Sequence, residues 1–264
     1  MTNAASELKE RYEQIAKTLD YNTTACDYNL RDLEINTACE YIQDGDSVLD
    51  VGCGLGYGCT QYAARRNAHV HGIDYAENMI DGAKELLRRD HPTLQGSVEF
   101  THASVLDLPF PKAHFDVVTS SRCLMALLDW EKQKQALVEV HRVLKPGGVL
   151  VCMEGTFDGL EKLNQARAKF GLEAIDASGR ERLYTLKFWE KELLDFVKPY
   201  YVHERTQRFG MYYFLTRIVQ PLLMAPDAPR YDHKLNDVAK RIAAHYPDFE
   251  GMGHLVAFVF SKRR

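Results

Sequence analysis

The stretch Val48-Leu49-Asp50-Val51-Gly52-Cys53-Gly54-Leu55-Gly56 constrains this chain more than any other. A short apolar run passes straight into closely spaced glycines, and residues 60–66 after them read as a helix. Glycine tolerates left-handed backbone and carries no Cβ, so such a turn lets a ligand lie against bare main chain. Asp74 ends the next apolar run, Val70-His71-Gly72-Ile73-Asp74, about 20 residues further on, where an acid can hold two ribose hydroxyls. A dinucleotide fingerprint requires Gly-x-Gly-x-x-Gly. Counted from Gly52 the third glycine would fall on Tyr57, and from Gly54 on Cys59, so both registers fail. A phosphate-binding loop needs Gly-Lys-Ser/Thr after the glycines, and that is missing too.

The same strand-then-helix rhythm continues beyond the turn. Residues 98–100, 115–120 and 149–153 read as further strands, and helical spacing covers Ala76, Met79, Ile80, Ala83, Leu86 and Leu87. Ala136, Leu137, Val140, Val143 and Leu144 mark another helix, stopped by Pro146-Gly147-Gly148. This alternation implies a parallel sheet with helices on both faces. In the second half, residues 160–170 and 188–197 look helical, 200–209 and 254–261 read as strands, and 210–253 is too long for a hairpin loop. Its aromatic start and the helix-like residues 237–246 point to an ordered insertion.

With 264 residues, 45% of them hydrophobic and 27% charged, the chain can bury a large core. A net charge of −4 does not suggest a nucleic-acid binder. The six cysteines include no Cys-x-x-Cys pair and read as small buried hydrophobes in a reducing compartment; no His/Cys cluster has metal-ligand spacing, so no metal is expected. The polar N-terminus and short apolar runs predict neither a signal peptide nor membrane insertion, hence a cytoplasmic protein.

Five motifs, in order, resemble class I S-adenosylmethionine-dependent methyltransferases. They are Leu49–Gly56, Gly72-Ile73-Asp74-Tyr75-Ala76-Glu77-Asn78-Met79, Leu106-Asp107-Leu108-Pro109-Phe110, Phe115-Asp116-Val117-Val118 and Arg142-Val143-Leu144-Lys145-Pro146-Gly147-Gly148. The resemblance implies an α/β, Rossmann-like seven-stranded sheet of order 3-2-1-4-5-7-6 with the last strand antiparallel. It also implies one methyltransferase domain over 1–264, made of an N-terminal helical segment 1–45, a cofactor-binding core 46–155 and a cap insertion 210–253. Its cofactor would be S-adenosyl-L-methionine. Gly52, Cys53, Gly54 and Gly56 would take the methionine part, Asp74 the ribose, Tyr75 and Met79 the two adenine faces, and Ser104 and Val105 the adenine edge. Ser120 would face the methyl group. Before the first strand, Tyr12, Tyr21 and Arg31 resemble the segment that closes over the cofactor in glycine N-methyltransferase-like enzymes, with Arg31 on the methionine carboxylate.

The acceptor site follows from topology. Parallel strands deliver their C-terminal ends to the ligand edge, and an antiparallel last strand begins there, at His254. The insertion springs from the same edge. Tyr212, Tyr213, Arg217, His233 and His254 are therefore expected near the acceptor, with His254 as base, and Arg122 and Glu154 as further pocket residues. The two arginines could hold a carboxylate or phosphate. The chain looks most like methyltransferases of polysaccharide pathways, so a small-molecule acceptor with a sugar hydroxyl is expected. N-methylation of an amine or amino acid, and a silent cofactor-binding protein, stay open. Oligomeric state has no signature in the sequence.

Overall fold

A computed structural model describes residues 3–175 and 184–263. Seven strands, β1 (Ser47–Val51), β2 (His69–Asp74), β3 (Ser97–His102), β4 (Phe115–Ser121), β5 (Leu144–Gly155), β6 (Tyr201–Arg208) and β7 (Leu255–Lys262), form one sheet. The order is β3-β2-β1-β4-β5-β7-β6, as the family resemblance implied. β7 runs antiparallel to both β5 and β6, and the pairings among β1 to β5 are parallel.

Neighbouring residues on the central strands enter opposite cores. Val48, Val117, Val151 and Ala257 pack on one face; Leu49, Val118, Leu150 and Phe258 pack on the other. Buried on both sides, these strands have to be continuously apolar, which is why they were legible as apolar runs. The helices α1 (Asn3–Ala16), α2 (Tyr28–Cys39), α3 (Tyr57–Arg66), α4 (Glu77–Asp90), α5 (Trp130–Val143) and α6 (Phe157–Lys169) precede a helix at Glu190–Val197. Local chemistry sets their starts. Asp27 accepts from Leu30 N at 3.2 Å, Asp129 from Glu131 N at 2.8 Å, and Thr156 Oγ1 from Gly159 N at 3.1 Å. The start of α4 is capped from outside: Glu13 of α1 accepts from Glu77 N at 3.2 Å and Asn78 N at 3.0 Å. That contact fixes α1 across the ligand edge.

Residues 210–253 contain helices at Gly210–Phe214, Gln220–Met224 and Lys234–His245, with a π turn at Leu215–Val219. The Lys234–His245 helix packs on α2 and the π turn on α6. Two boundaries differ from the sequence expectation. β5 starts at Leu144, which pairs with Phe115 ahead of the bulge before Val117. β7 starts at Leu255, because the carbonyl of His254 bonds Thr156 N at 2.6 Å outside the ladder. No helix among the described residues is long and apolar enough to cross a membrane.

Candidate active site

The glycine turn leaves β1 with Gly52 at φ +69°, Gly54 at +54° and Gly56 at +82°, all in the region that disfavours side chains. A Cβ on Gly52 would stand 2.6 Å from Cys123 Cβ, and one on Gly56 2.5 Å from Phe100 Cζ. Those two glycines are therefore fixed by packing. At Gly54 the nearest atom would be Thr24 Cγ2, at 3.7 Å, so this is the position where a ligand can reach the main chain. Cys53 N donates to Ile73 O at 2.9 Å, which locks the turn to β2.

Asp74 is aimed by two backbone donors. Its Oδ2 accepts from Gly54 N and its Oδ1 from Ala76 N, both at 2.9 Å. Burial pushes its carboxyl upward, and these N–H groups pull it back. Each oxygen keeps a further lone pair for a ribose hydroxyl. Tyr75 stands half-exposed at the rim with Lys9 Nζ 4.8 Å above its ring, while Met79 is buried among Ala16, Leu55 and Leu86. Ser104 Oγ accepts from Leu106 N at 3.2 Å, and Val105 is buried beside it.

Arg31 uses both terminal nitrogens within the protein. Nη1 donates to Tyr21 O at 2.7 Å and Nη2 to Asn22 Oδ1 at 3.0 Å, with the guanidinium 3.9 Å above the Tyr57 ring. Its Nε and the Tyr21 hydroxyl are buried polar atoms without a hydrogen-bond partner among the described residues. Burial pushes the Tyr21 hydroxyl up to about 12. Unpaired buried donors are costly, so this pair marks a place built to receive acceptor atoms. Bare main chain at Gly54, an oriented carboxylate and these two donors fit S-adenosylmethionine: Asp74 would hold its ribose, and Gly54 with Arg31 and Tyr21 its methionine end.

Three expected pocket residues have structural jobs instead. Glu154 is fully buried, and its carboxylate accepts from Ser120 Oγ at 2.6 Å, Cys123 N at 3.1 Å, Leu124 N at 3.0 Å and Met125 N at 3.1 Å. It clasps the loop after β4, and the Ser120 hydroxyl expected to face the methyl group donates to it instead. His233 accepts from Leu235 N at 3.2 Å and caps the Lys234–His245 helix.

The other residues expected near the acceptor converge. Asp27 receives Tyr212 OH and Arg217 Nη2, each at 2.5 Å, tying the insertion to the N-terminal segment. The π turn presents Arg217 to Asp27; such turns commonly accompany functional sites. On the facing side, Arg122 Nη2 donates to Glu34 Oε2 at 2.9 Å, and Ser121 Oγ to Glu34 Oε1 at 3.1 Å. Between them the Tyr213 and His254 rings meet at 4.9 Å in edge contact. A Cβ on Gly253, at φ +109°, would lie 2.5 Å from Tyr213 Cδ2, so glycine is required for that approach. The Tyr213 hydroxyl and His254 Nδ1 are buried and unpartnered among the described residues. Burial, then Lys187, Arg217 and Arg122, push His254 down to about 3.

Sequence reasoning missed Asp27, Glu34 and the buried Asn29, whose amide is also unpartnered. Glu34 had a signal: an acid on the Leu30, Leu33, Thr37 and Ala38 face of α2, where an apolar residue is expected.

Residues 48–148 match the methyltransferase domain family. A demethylmenaquinone methyltransferase of Listeria welshimeri is 36% identical over 115 residues, 43% of this chain and 46% of that protein. The O-methyltransferase cnsE of Penicillium expansum is 36% identical over 107 residues, 40% of this chain and 37% of the relative. The chain thus aligns with less than half the length of these relatives. A SAM-dependent methyltransferase of Methanosarcina mazei has the same fold, with a TM-score of 0.57 and 21% identity over 85% of this chain and 95% of that one. The chain has the class I S-adenosylmethionine-dependent methyltransferase fold, and S-adenosylmethionine is the cofactor of that class.

Proposed function

We propose that this chain transfers the methyl group of S-adenosylmethionine to a hydroxyl oxygen of a small polar acceptor, such as a sugar, held beneath residues 210–253. The observation that carries the reading is the unpartnered Tyr213–His254 pair on the sheet edge that bears the glycine turn. Two buried polar groups lacking partners suit a hydroxylated ligand better than a hydrocarbon. Lys187, Arg217 and Arg122 act on His254 as positive charges, which disfavours a protonated amine as acceptor. The O-methyltransferase relative is consistent with oxygen as the methylated atom.

When bound, the cofactor supplies a methyl carbon already activated by a positive sulfur. The protein has to align the acceptor and exclude water. Asp27, Tyr212 and Arg217 hold the insertion down over the edge. Glu154 fixes the loop that carries Cys123 and Arg122. The neutral His254 imidazole accepts a hydrogen bond from the acceptor hydroxyl and points its lone pair. An oxygen that has just gained a methyl group is a far stronger acid than the hydroxyl it was. Even a weakly basic imidazole then takes its proton.

The test is transfer of labelled methyl from S-adenosylmethionine to a panel of hydroxylated and amine acceptors, with cofactor affinity measured separately. His254→Ala is expected to lower the rate by about 10²–10⁴-fold at unchanged cofactor affinity. A wild-type rate removes His254 from the chemistry. Turnover of amines alone contradicts the oxygen reading.

A further inference from the structure

The acceptor side of the site is richer in cations than methyl transfer to a neutral hydroxyl requires. Arg122 and Arg217 approach Tyr213 and His254 from different elements, the loop after β4 and the π turn of the insertion. The Arg217 guanidinium lies 5.8 Å from the Tyr213 ring centroid. Lys187 comes from a third direction. Its stem crosses the last residue of β5, since a Cβ on Gly155 would stand 3.1 Å from Lys187 Cγ, and Gly155 pairs with Leu255 next to His254. The two arginines each commit Nη2 to a carboxylate, Glu34 or Asp27. Guanidinium carries five N–H donors, so each ion pair leaves donors in hand.

Tyr213 OH and His254 Nδ1, on residues that feel both arginines, are buried without a partner among the described residues. Resting on the functional reading above, we infer that the acceptor carries an anionic oxygen group, received by Tyr213 and His254 between Arg122 and Arg217. A tyrosine hydroxyl donates to such an oxygen directly. The imidazole donates when Nδ1 holds its proton, and an anion at this point stabilises that neutral tautomer, whose other ring nitrogen keeps the lone pair for the acceptor hydroxyl. The cations suit carboxylate and phosphate alike, because guanidinium geometry matches both. Burial is the larger cause of the low proton affinity of His254, and Lys187, Arg217 and Arg122 add a positive potential to it. An anion relieves that potential, and an ammonium group would add to it.

The experiment uses the whole chain saturated with S-adenosylhomocysteine, saturation being confirmed beforehand by calorimetry. The ring nitrogens of His254, assigned through His254→Gln, are followed by NMR during titration with benzoate, phenyl phosphate and benzamide. Saturable shifts with benzoate, with phenyl phosphate or with both support the anion site, and the responding probe names the acceptor's group. Benzamide is expected to bind at least about tenfold more weakly. Tyr213→Phe is expected to weaken the responding anion by about tenfold while cofactor affinity and Tm hold, because it removes a hydroxyl that supports nothing in the fold. Equal response to benzamide, no response to either anion, or full anion affinity in Tyr213→Phe overturns the inference. If S-adenosylhomocysteine itself does not bind, the functional reading fails at the first step, before any probe is added.

Discussion

Between about pH 3 and pH 6.5 the His254 imidazole stays neutral in the folded chain while its unfolded counterpart takes up a proton. Acid therefore favours unfolding through this residue, progressively from about 6.5 downward. Asp50 acts the other way. Buried under the glycine turn, with Thr119 Oγ1 donating at 2.7 Å and the Cys59 thiol at 3.4 Å, its carboxyl is pushed up to about 6 from 3.8. Between those values the folded state holds the extra proton, so Asp50 contributes stability that fades as pH rises. Glu34, Asp74 and Glu154, also raised by burial, act in the same sense. Urea unfolding of wild type and His254→Gln isolates the histidine. The stability of wild type relative to the variant is expected to fall as pH drops from 6.5 toward 3; a constant difference shows that the imidazole titrates alike in both states. The glycine turn at Gly52 and Gly54 and the strand tip at Asp74 were legible because both are local features of one strand-helix-strand unit. Asp27 was not, because it meets Arg217 only after the insertion folds back on the N-terminal segment.

Glu154 shows what an element needs beyond its own hydrogen bonds. β4 ends in a loop whose three successive N–H groups, at Cys123, Leu124 and Met125, all point at one carboxylate on β5. In Glu154→Gln an amide would present donors to donors. The expected cost is about 3 kcal/mol, read as a Tm lower by roughly 6–12 °C for a chain of this size. A change within about 2 °C would show that backbone pairing alone holds the loop. The central strands were readable as apolar runs, and α5 from its spacing. The π turn was not, since Leu215–Val219 differs from an α-helix only in hydrogen-bond register, which no side-chain pattern reveals. The start of β5 was misplaced because Pro146 and the two glycines read as a break, whereas Leu144 already pairs with Phe115.

Across the whole molecule, one sheet edge collects the glycine turn, the loop after β4, the start of β7, helix α1 and the insertion. The strand order followed from the resemblance that the five motifs carry, and the sheet has that order. The acceptor could not be foretold in the same way, since the residues proposed to meet it come from segments far apart in the chain, Asp27 and Arg217 being paired across 190 residues. Fold alone does not fix chemistry, so the decisive claim concerns the ligand at Gly54 and Asp74. Calorimetry with S-adenosylhomocysteine tests it directly. Wild type is expected to give saturable heat at one site and none with NAD, and Asp74→Asn to bind about 10–100-fold more weakly through the loss of charge-assisted bonds to the ribose. No heat with wild type, or equal affinity in Asp74→Asn, would contradict the account.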